Sequence, residues 1–222
     1  IAIRSSSKLE DSYYQPFAGI YNTYMVPIVP VKSLAIRMLE TAIKCVYASV
    51  FFRASKAYAT ATSNLIDEEK MGIIIQEVCG TQHNDRFYPT LSGVARSINF
   101  YPISPEKPQD GIATVAFGLG KLIAEGGTGL RFSPKYPQKI IQLSTPELAL
   151  RSTQKYFYAL DMNPDRFVPS PDDKINLLRL SMAEAAEDPA LRLVSSVYDH
   201  ENQMIRDDPD HPGKRVVTLS PI

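Results

Sequence analysis

The chain has 222 residues, of which 44% are hydrophobic, so it can bury a core as one large domain or two small lobes. Its 24 basic residues (Lys, Arg) balance 24 acidic ones, and no apolar run reaches the roughly 20 residues of a membrane span, so we expect no nucleic-acid or membrane partner. Two cysteines are too few for a disulfide framework or a zinc cage, which makes a reducing cytoplasm the expected compartment.

The densest pattern of phosphate-binding residue types opens the chain, in IAIRSSSKLEDSYYQPFAGIYNTY. Residues 1–3 are typical of a strand end, and Arg4 then precedes a run of serines. A guanidinium holds phosphate oxygens in pairs, and serine side chains with turn N–H groups can form a concave anion site. Gly19 would allow a ligand to approach the backbone closely. The stretch predicts a phosphate site, although a polar surface loop would explain the same residues.

Two helices and a strand are predicted next. Apolar residues at steps of three and four indicate a helix from a cap at Ser33 to about Phe51, and a second helix follows over residues 52–58. Residues 71–78, MGIIIQEV, predict a strand that is apolar enough to be buried on both faces. Its polar end can present a side-chain amide and backbone groups to the edge of a base, or it is simply the end of a strand.

A second glycine-containing motif follows two further predicted strands, at residues 92–99 and 111–117. The order strand, Gly118-Leu119-Gly120, short apolar helix places free N–H groups and a positive helix end at a tight turn. The pattern is neither a Walker loop nor a full Rossmann fingerprint, so by itself it indicates an anion site only weakly.

The last third of the chain predicts structure but no chemistry. The expected elements are a strand at 139–143, helices at 145–160 and 172–187, a hairpin loop at 206–213 and a strand at 215–219. The aromatic run at Tyr156, Phe157 and Tyr158 is interpreted as core. The acidic loop lacks the spacing of an EF-hand, so metal ligands stay unknown.

These blocks, taken in order, resemble the N-terminal nucleotide-binding domain of phosphoenolpyruvate synthase and pyruvate phosphate dikinase. The resemblance covers about residues 1–134 and departs from the family pattern at Arg96, in place of an aromatic residue, and at Lys121, in place of an acidic one. The matching residues are Arg4-Ser5-Ser6, Glu10-Asp11, Phe17-Ala18-Gly19, Thr23, Gln76, Ser92-Gly93-Val94, Gly118-Leu119-Gly120 and Gly126.

The resemblance implies an α+β, ATP-grasp-like fold, with mixed and antiparallel sheets, flanking helices and nucleotide held between two lobes. We expect residues 1–134 to form the nucleotide-binding core and residues 135–222 to extend the same domain with helices and strands. Because the sequence starts without Met inside a predicted strand and ends without a cap, we expect the fold to be incomplete at both ends and the chain to belong to a longer protein.

The chemistry implied by the resemblance is phosphoryl transfer from ATP, with Mg²⁺, to a histidine on a separate swivelling domain and then to pyruvate. In this hypothesis Arg4 is the catalytic phosphate clamp, and the acceptors are reached through domains outside this chain. The remaining implied residues are Ser5, Phe17, Ala18, Gly19 and Thr23 at the phosphates, Gln76, Glu77 and Val78 at adenine, and Gly118 and Gly120 shaping the cleft. The family's Glu and Gln that hold metal and nucleotide find no match.

Two other interpretations fit the same residues. A dikinase-type enzyme could transfer phosphate to another acceptor, such as a glucan or an antibiotic, because the acceptor site lies elsewhere. A degenerate regulatory module without catalysis is favoured by Arg96 and Lys121. The longer protein is expected to be an enzyme, whereas this stretch alone is expected to be catalytically silent, since the family's lysine-bearing glycine-rich segment has no counterpart here.

Overall fold

The computed structural model describes residues 1–7, 10, 20–61, 70–167 and 177–220. The chain forms two compact units, each with its own buried residues. Unit 1 consists of Ile1–Cys79 and Leu160–Leu178, and unit 2 of Gly80–Ala159 and Arg179–Ile222. Helices and several antiparallel sheets are both present, which agrees with the predicted α+β class.

Unit 1 is built on a three-stranded sheet with the order β2-β1-β3, in which β1 pairs antiparallel with both neighbours. The elements of this unit are β1 (Ala2–Ser7), β2 (Thr23–Met25), α1 (Lys32–Ser49), α2 (Arg53–Ala61) and β3 (Met71–Gln76). Since β1 is the central strand, its backbone position is set from both sides.

Helix α1 covers one face of this sheet. Ile3 and Tyr24 from the sheet pack with Met38, Ala42 and Val46 of the helix in one buried cluster. The apolar stripe predicted for this helix is therefore confirmed, although the helix begins at Lys32 after Val31 and not with a Ser33 cap. None of the helices in the described part of the chain is both long and apolar enough to cross a membrane.

The prediction that β3 is buried on both faces is wrong. This strand pairs with β1 at the edge of the sheet, and the side chains of Ile74 and Ile75 are 43% and 54% exposed. A run of β-branched residues indicates strand propensity, but burial on two faces also needs two covering layers. Here only α1 packs on the sheet among the described elements.

Unit 2 contains three small sheets, with the strand orders β10-β9-β5-β4, β6-β7-β8 and β12-β11-β13. The chain passes between the units within β9 and β10. The strands are β4 (Thr81–His83), β5 (Arg86–Tyr88), β6 (Ser92–Arg96), β7 (Ile112–Ala116), β8 (Leu130–Phe132), β9 (Tyr156–Asp161), β10 (Leu177–Ser181), β11 (Ser195–Asp199), β12 (Met204–Arg206) and β13 (Lys214–Val217). The helices are α3 (Lys121–Ala124), α4 (Pro146–Ser152) and α5 (Pro189–Arg192).

Three buried aromatic rings form the centre of unit 2. Tyr88, Phe117 and Phe157 pack edge to face, with ring centroids 5.0 to 5.3 Å apart. This geometry places positive ring edges against negative ring faces. Phe157 and Tyr158 are buried as predicted, whereas Tyr156 is half-buried and its ring lies under the guanidinium of Arg179.

Several elements predicted for the last third are wrong. The helix expected to reach residue 160 ends at Ser152, and the aromatic residues after it form β9, as their strand propensity favours. Within the helix expected over 172–187, residues 177–181 are β10, and residues 172–176 lie outside the described part. The strand expected at 139–143 is a 3₁₀ turn, Ile141–Leu143. Apolar spacing alone does not separate short helices from strands.

The predicted strand near the end of the chain is confirmed as β13, but the predicted hairpin before it is wrong. Strands β12 and β13 pair on opposite sides of β11, so the acidic loop between them joins two strands that are not neighbours. The buried strand β11 recruits both partners because all five of its residues are buried.

Candidate functional site

Strand β1 presents different residues on the two faces of its sheet. Successive side chains of a strand point to opposite faces, and the burial of β1 alternates accordingly from Ile3 onward. Ile3 and Ser5 are buried on the side covered by α1, while Arg4 and Ser6 are exposed on the other side. We call this second side, with Arg4, Ser6 and their cross-strand partners, the open face.

The strand register brings three of the predicted site residues together on the open face. Arg4 lies opposite Thr23 of β2 and Ile74 of β3, while Gln76 lies opposite Ala2. Directly opposed residues have Cβ atoms about 5 Å apart, and diagonal neighbours such as Arg4 and Gln76 are about 7–8 Å apart. A ligand of nucleotide size can therefore contact all three side chains at once.

The Arg4 side chain is available to such a ligand. It is exposed, and no hydrogen bond or ion pair joins its guanidinium to a residue of the described part of the chain. A guanidinium without a protein carboxylate beside it keeps its full charge and its paired donors for an anion. The open face thus carries a fixed cation with a hydroxyl and an amide nearby.

Ser5 is turned away from this face. Its hydroxyl donates a hydrogen bond to Glu10 Oε1 at 2.7 Å, and Glu10 also joins Ser7 through two further bonds, Ser7 N–H to Oε2 at 2.9 Å and Glu10 N–H to Ser7 Oγ at 3.1 Å. The anion-binding loop predicted from the serine run is wrong, because β1 continues to Ser7. The Ser-x-x-Glu spacing at Ser7 is the signal that the sequence analysis missed.

The other predicted residues of unit 1 differ in what the structure says of them. Glu77 is exposed and Val78 half-buried, directly after the end of β3. The loop of Phe17, Ala18 and Gly19 lies outside the described residues. Roles of these residues at adenine and at the phosphates stay predictions.

In unit 2, the turn at Gly118 and Gly120 packs closely on β9. Gly118 has φ +86°, and a Cβ added to it would lie 2.9 Å from the Tyr158 carbonyl oxygen, so the position requires glycine. The Leu119 N–H donates to the same oxygen at 2.9 Å and is not free, contrary to the expectation from the motif. Helix α3 after the turn has only four residues. A contribution of Gly118 and Gly120 to nucleotide binding stays a prediction.

Lys121, which replaces an acidic residue of the family pattern, belongs to a small polar cluster. Its ammonium lies 3.6 Å from Glu125 Oε1 and 5.9 Å from the centroid of the Tyr158 ring. The Tyr158 hydroxyl donates to Glu125 Oε2 at 2.8 Å. Burial, and then the bond to Glu125, raise the pKa of Tyr158 to about 12. These contacts give Lys121 a structural use at the base of the turn.

Gln154 is a further residue that the sequence did not single out. Its buried side-chain amide bonds the backbone N–H of Phe117 at 2.9 Å and the backbone carbonyls of Phe117 and Tyr156 at 2.8 and 2.9 Å. The amide therefore satisfies the chain end of β7 and links it to β9. No local pattern marks such a residue, because its partners are distant in sequence.

The Mg²⁺ implied by the resemblance finds no matching ligand set. Among the residues that the structure describes, no group of three or more His, Cys, Asp or Glu side chains could hold a metal ion. Mg²⁺ prefers carboxylate oxygens together with water and substrate phosphates. We therefore assign no metal ligand and no reaction step to it.

Comparison with known proteins bears on the whole of this arrangement. A family model described as the AMP/ATP-binding domain of pyruvate phosphate dikinase matches residues 1–194, well past the last motif of the sequence analysis. A search of curated protein sequences finds no match. The family model covers most of the chain and supports an ATP-binding module of a phosphotransferase family. The chain belongs to the family of AMP/ATP-binding domains of pyruvate phosphate dikinase.

Proposed function

We propose that the open face of unit 1 binds ATP, with Arg4 as the clamp on its phosphates and Thr23 beside it. The observation that carries this proposal is the register that sets Arg4, Thr23 and Gln76 on one uncovered face of the sheet. The unpartnered guanidinium of Arg4 adds the charge that phosphates require. Family membership supplies the nucleotide.

The geometry suits phosphoryl transfer because that reaction depends mainly on positioning and on neutralising charge. Arg4 stands on the central strand, whose backbone is bonded to β2 and β3, so the base of its side chain is held in place. Its planar fork can hold two phosphate oxygens at once. Gln76, one diagonal step away, can accept and donate at the edge of adenine, with Glu77 and Val78 next along the chain.

We further propose that the longer protein moves phosphate from ATP to a carrier histidine and then to pyruvate. This chain would supply the ATP-binding part, and a swivelling histidine domain and the acceptor site would lie outside it. The loop of Phe17, Ala18 and Gly19 would cover the phosphates. The same residues serve a dikinase with another acceptor, such as a glucan or an antibiotic, because the acceptor does not contact this site.

The test is ATP binding by the full chain, followed by ligand-observed NMR because we expect weak affinity. Arg4→Ala should weaken binding at least about tenfold, the cost of a lost charge-assisted contact. The matched control is Arg37→Ala, an exposed arginine of α1 in the same unit, which should bind as the unmodified chain does. Equal ATP affinity in the Arg4 and Arg37 variants would remove Arg4 from the site.

A degenerate regulatory module is the second candidate. It is favoured by Lys121, whose contacts with Glu125 and Tyr158 occupy a position that is acidic in the family pattern. Such a module would bind ATP without transferring phosphate. Acid-labile phosphohistidine should form in the longer protein if it is a transferase, and Arg4→Ala should slow its formation. ATP binding without any phosphohistidine would favour the module.

A further inference from the structure

A groove on unit 2 lies apart from every residue discussed for nucleotide binding. It runs over one face of the β6-β7-β8 sheet and has a volume of about 470 Å³. The strand register explains its floor, since Val94 lies opposite Thr114 and Thr114 opposite Arg131, while Arg96 lies opposite Ile112. These residues share a face, which we call the arginine groove together with the bordering loop of residues 98–101.

The arginine groove is positively charged. Arg96 and Arg131 line it, and none of its lining residues is Asp or Glu. The exposed side chain of Arg96 has no hydrogen bond or ion pair with any described residue. Two guanidinium groups on one sheet face repel each other unless an anion lies between them. The arrangement therefore favours a negatively charged ligand.

Arg131 is held in place by neutral oxygen atoms. Its Nη2 donates to Asn99 Oδ1 at 3.0 Å and to the Tyr101 carbonyl at 3.3 Å. Asn99 is fully buried, and its Nδ2 donates in turn to Glu106 Oε2 at 2.8 Å. This chain of bonds orients the guanidinium without a carboxylate bonded directly to it. A pre-oriented cation loses little conformational entropy when it binds an anion.

Apolar side chains make up much of the rest of the surface. Phe100 and Tyr101 are 71% and 80% exposed, and Val94 and Ile98 are also exposed. Large exposed rings beside arginine side chains are typical of sites that bind a flat apolar group. The volume lies within the range of about 300–1,000 Å³ that is usual for small-molecule sites.

We propose that the arginine groove binds a small organic acid, in which an acidic group is carried on a flat apolar body. The acidic group pairs with Arg131 and Arg96, and the apolar body packs on Val94 and the ring of Phe100. Every residue of this site belongs to unit 2, so the proposal does not depend on ATP binding at Arg4.

The probe for this site is 8-anilinonaphthalene-1-sulfonate, a flat aromatic anion whose fluorescence rises in an apolar site. In a titration of the full chain, Arg96→Gln and Arg131→Gln should each weaken its binding roughly tenfold. The charge-matched control is Arg151→Gln, an exposed arginine of α4 in the same unit, which should leave the affinity unchanged. Phe100→Ser should weaken binding while leaving both arginines in place.

Two further measurements separate this site from other causes. Arg96 has no partner among the described residues, so Arg96→Gln should keep the thermal midpoint of the chain, and its loss of binding cannot reflect unfolding. Arg4→Ala and an excess of ATP should both leave probe binding unchanged. Wild-type affinity in both groove variants would overturn the proposal, as would displacement of the probe by ATP, which would assign the groove to nucleotide.

Discussion

Arg4 and Ser5 are neighbours in sequence with opposite roles in the fold. Arg4 points to the open face, and Ser5 points under the sheet to Glu10. The two-residue period of a strand separates them, so a guanidinium and the next hydroxyl cannot bind one phosphate together. At the scale of residues, the phosphate clamp is therefore Arg4 with Thr23 across the strand, and not Arg4 with the serine run.

Gly118 allows a prediction about backbone conformation and space. Gly118→Ala should lower the free energy of unfolding by about 3 kcal/mol, because it combines a left-handed φ with a clash against Tyr158 and Phe157. Gly126→Ala is the matched control, since Gly126 also has a positive φ but has nothing within 4 Å of the added Cβ, and should cost about 1 kcal/mol. Urea denaturation measures both values, and equal losses would contradict the contact with β9.

Asp199 allows a prediction about pH. Its buried carboxylate accepts bonds from the Asn202 side chain, from Arg206 Nε at 2.7 Å and from two backbone N–H groups. The side-chain bonds from Asn202 and then Arg206 hold its pKa far below the usual aspartate value of 3.8. The ionised form thus stabilises the fold above pH 3.8, and this contribution falls as the pH drops below that value.

Asp199→Asn should therefore lower the free energy of unfolding at neutral pH, with the difference from the unmodified chain shrinking below pH 3.8. Chemical denaturation at a series of pH values measures this. Asp85→Asn, on the exposed turn between β4 and β5, removes a carboxylate without these bonds and serves as control. A gap that stays constant down to pH 2 would show that the Asp199 bonds do not depend on its charge.

At the scale of elements, β1 and β3 show how position in a sheet decides burial. Ile3 of β1 and Ile75 of β3 lie directly opposite each other, yet Ile3 is fully buried and Ile75 is more than half exposed. The centre strand lies under α1, whereas the edge strand extends beyond the covering helix. Two identical side chains in one register pair therefore contribute very differently to stability.

The same pair provides the test. Ile3→Ala should cost about 2–5 kcal/mol of unfolding free energy, the usual range for a truncated core isoleucine. Ile75→Ala should change it by about 0.5 kcal/mol or less, as exposed substitutions do. Thermal and urea unfolding of the two variants give the comparison. A large cost at Ile75 would indicate that something covers β3 in solution.

At the scale of the whole molecule, the chain has two units with separate cores. The cluster between α1 and the first sheet belongs to unit 1, and the three buried rings belong to unit 2. The family match, residues 1–194, includes all of unit 1 and part of unit 2. The family is therefore a property of both units and not of one sheet.

Separate cores predict separate local stability. Ile3→Ala should speed amide hydrogen exchange in α1 and β1 at least tenfold, because it removes buried contacts within unit 1. Exchange in β7 and at Phe157 of β9 should stay as in the unmodified chain. Hydrogen exchange followed by mass spectrometry resolves these segments. Equal acceleration in both units would show that the chain opens as one cooperative body.

Sequence alone determined the family, the positions of α1, α2, β3, β6, β7 and β13, and the residue types of the candidate site, because these follow from local order and periodicity. Only tertiary structure decided that β3 is an edge strand, that residues after Ser152 form β9, and that Arg4, Thr23 and Gln76 share a face. These facts depend on pairing between residues far apart in the chain. Local pattern carries no record of such pairing, and Gln154 and the arginine groove were missed for the same reason.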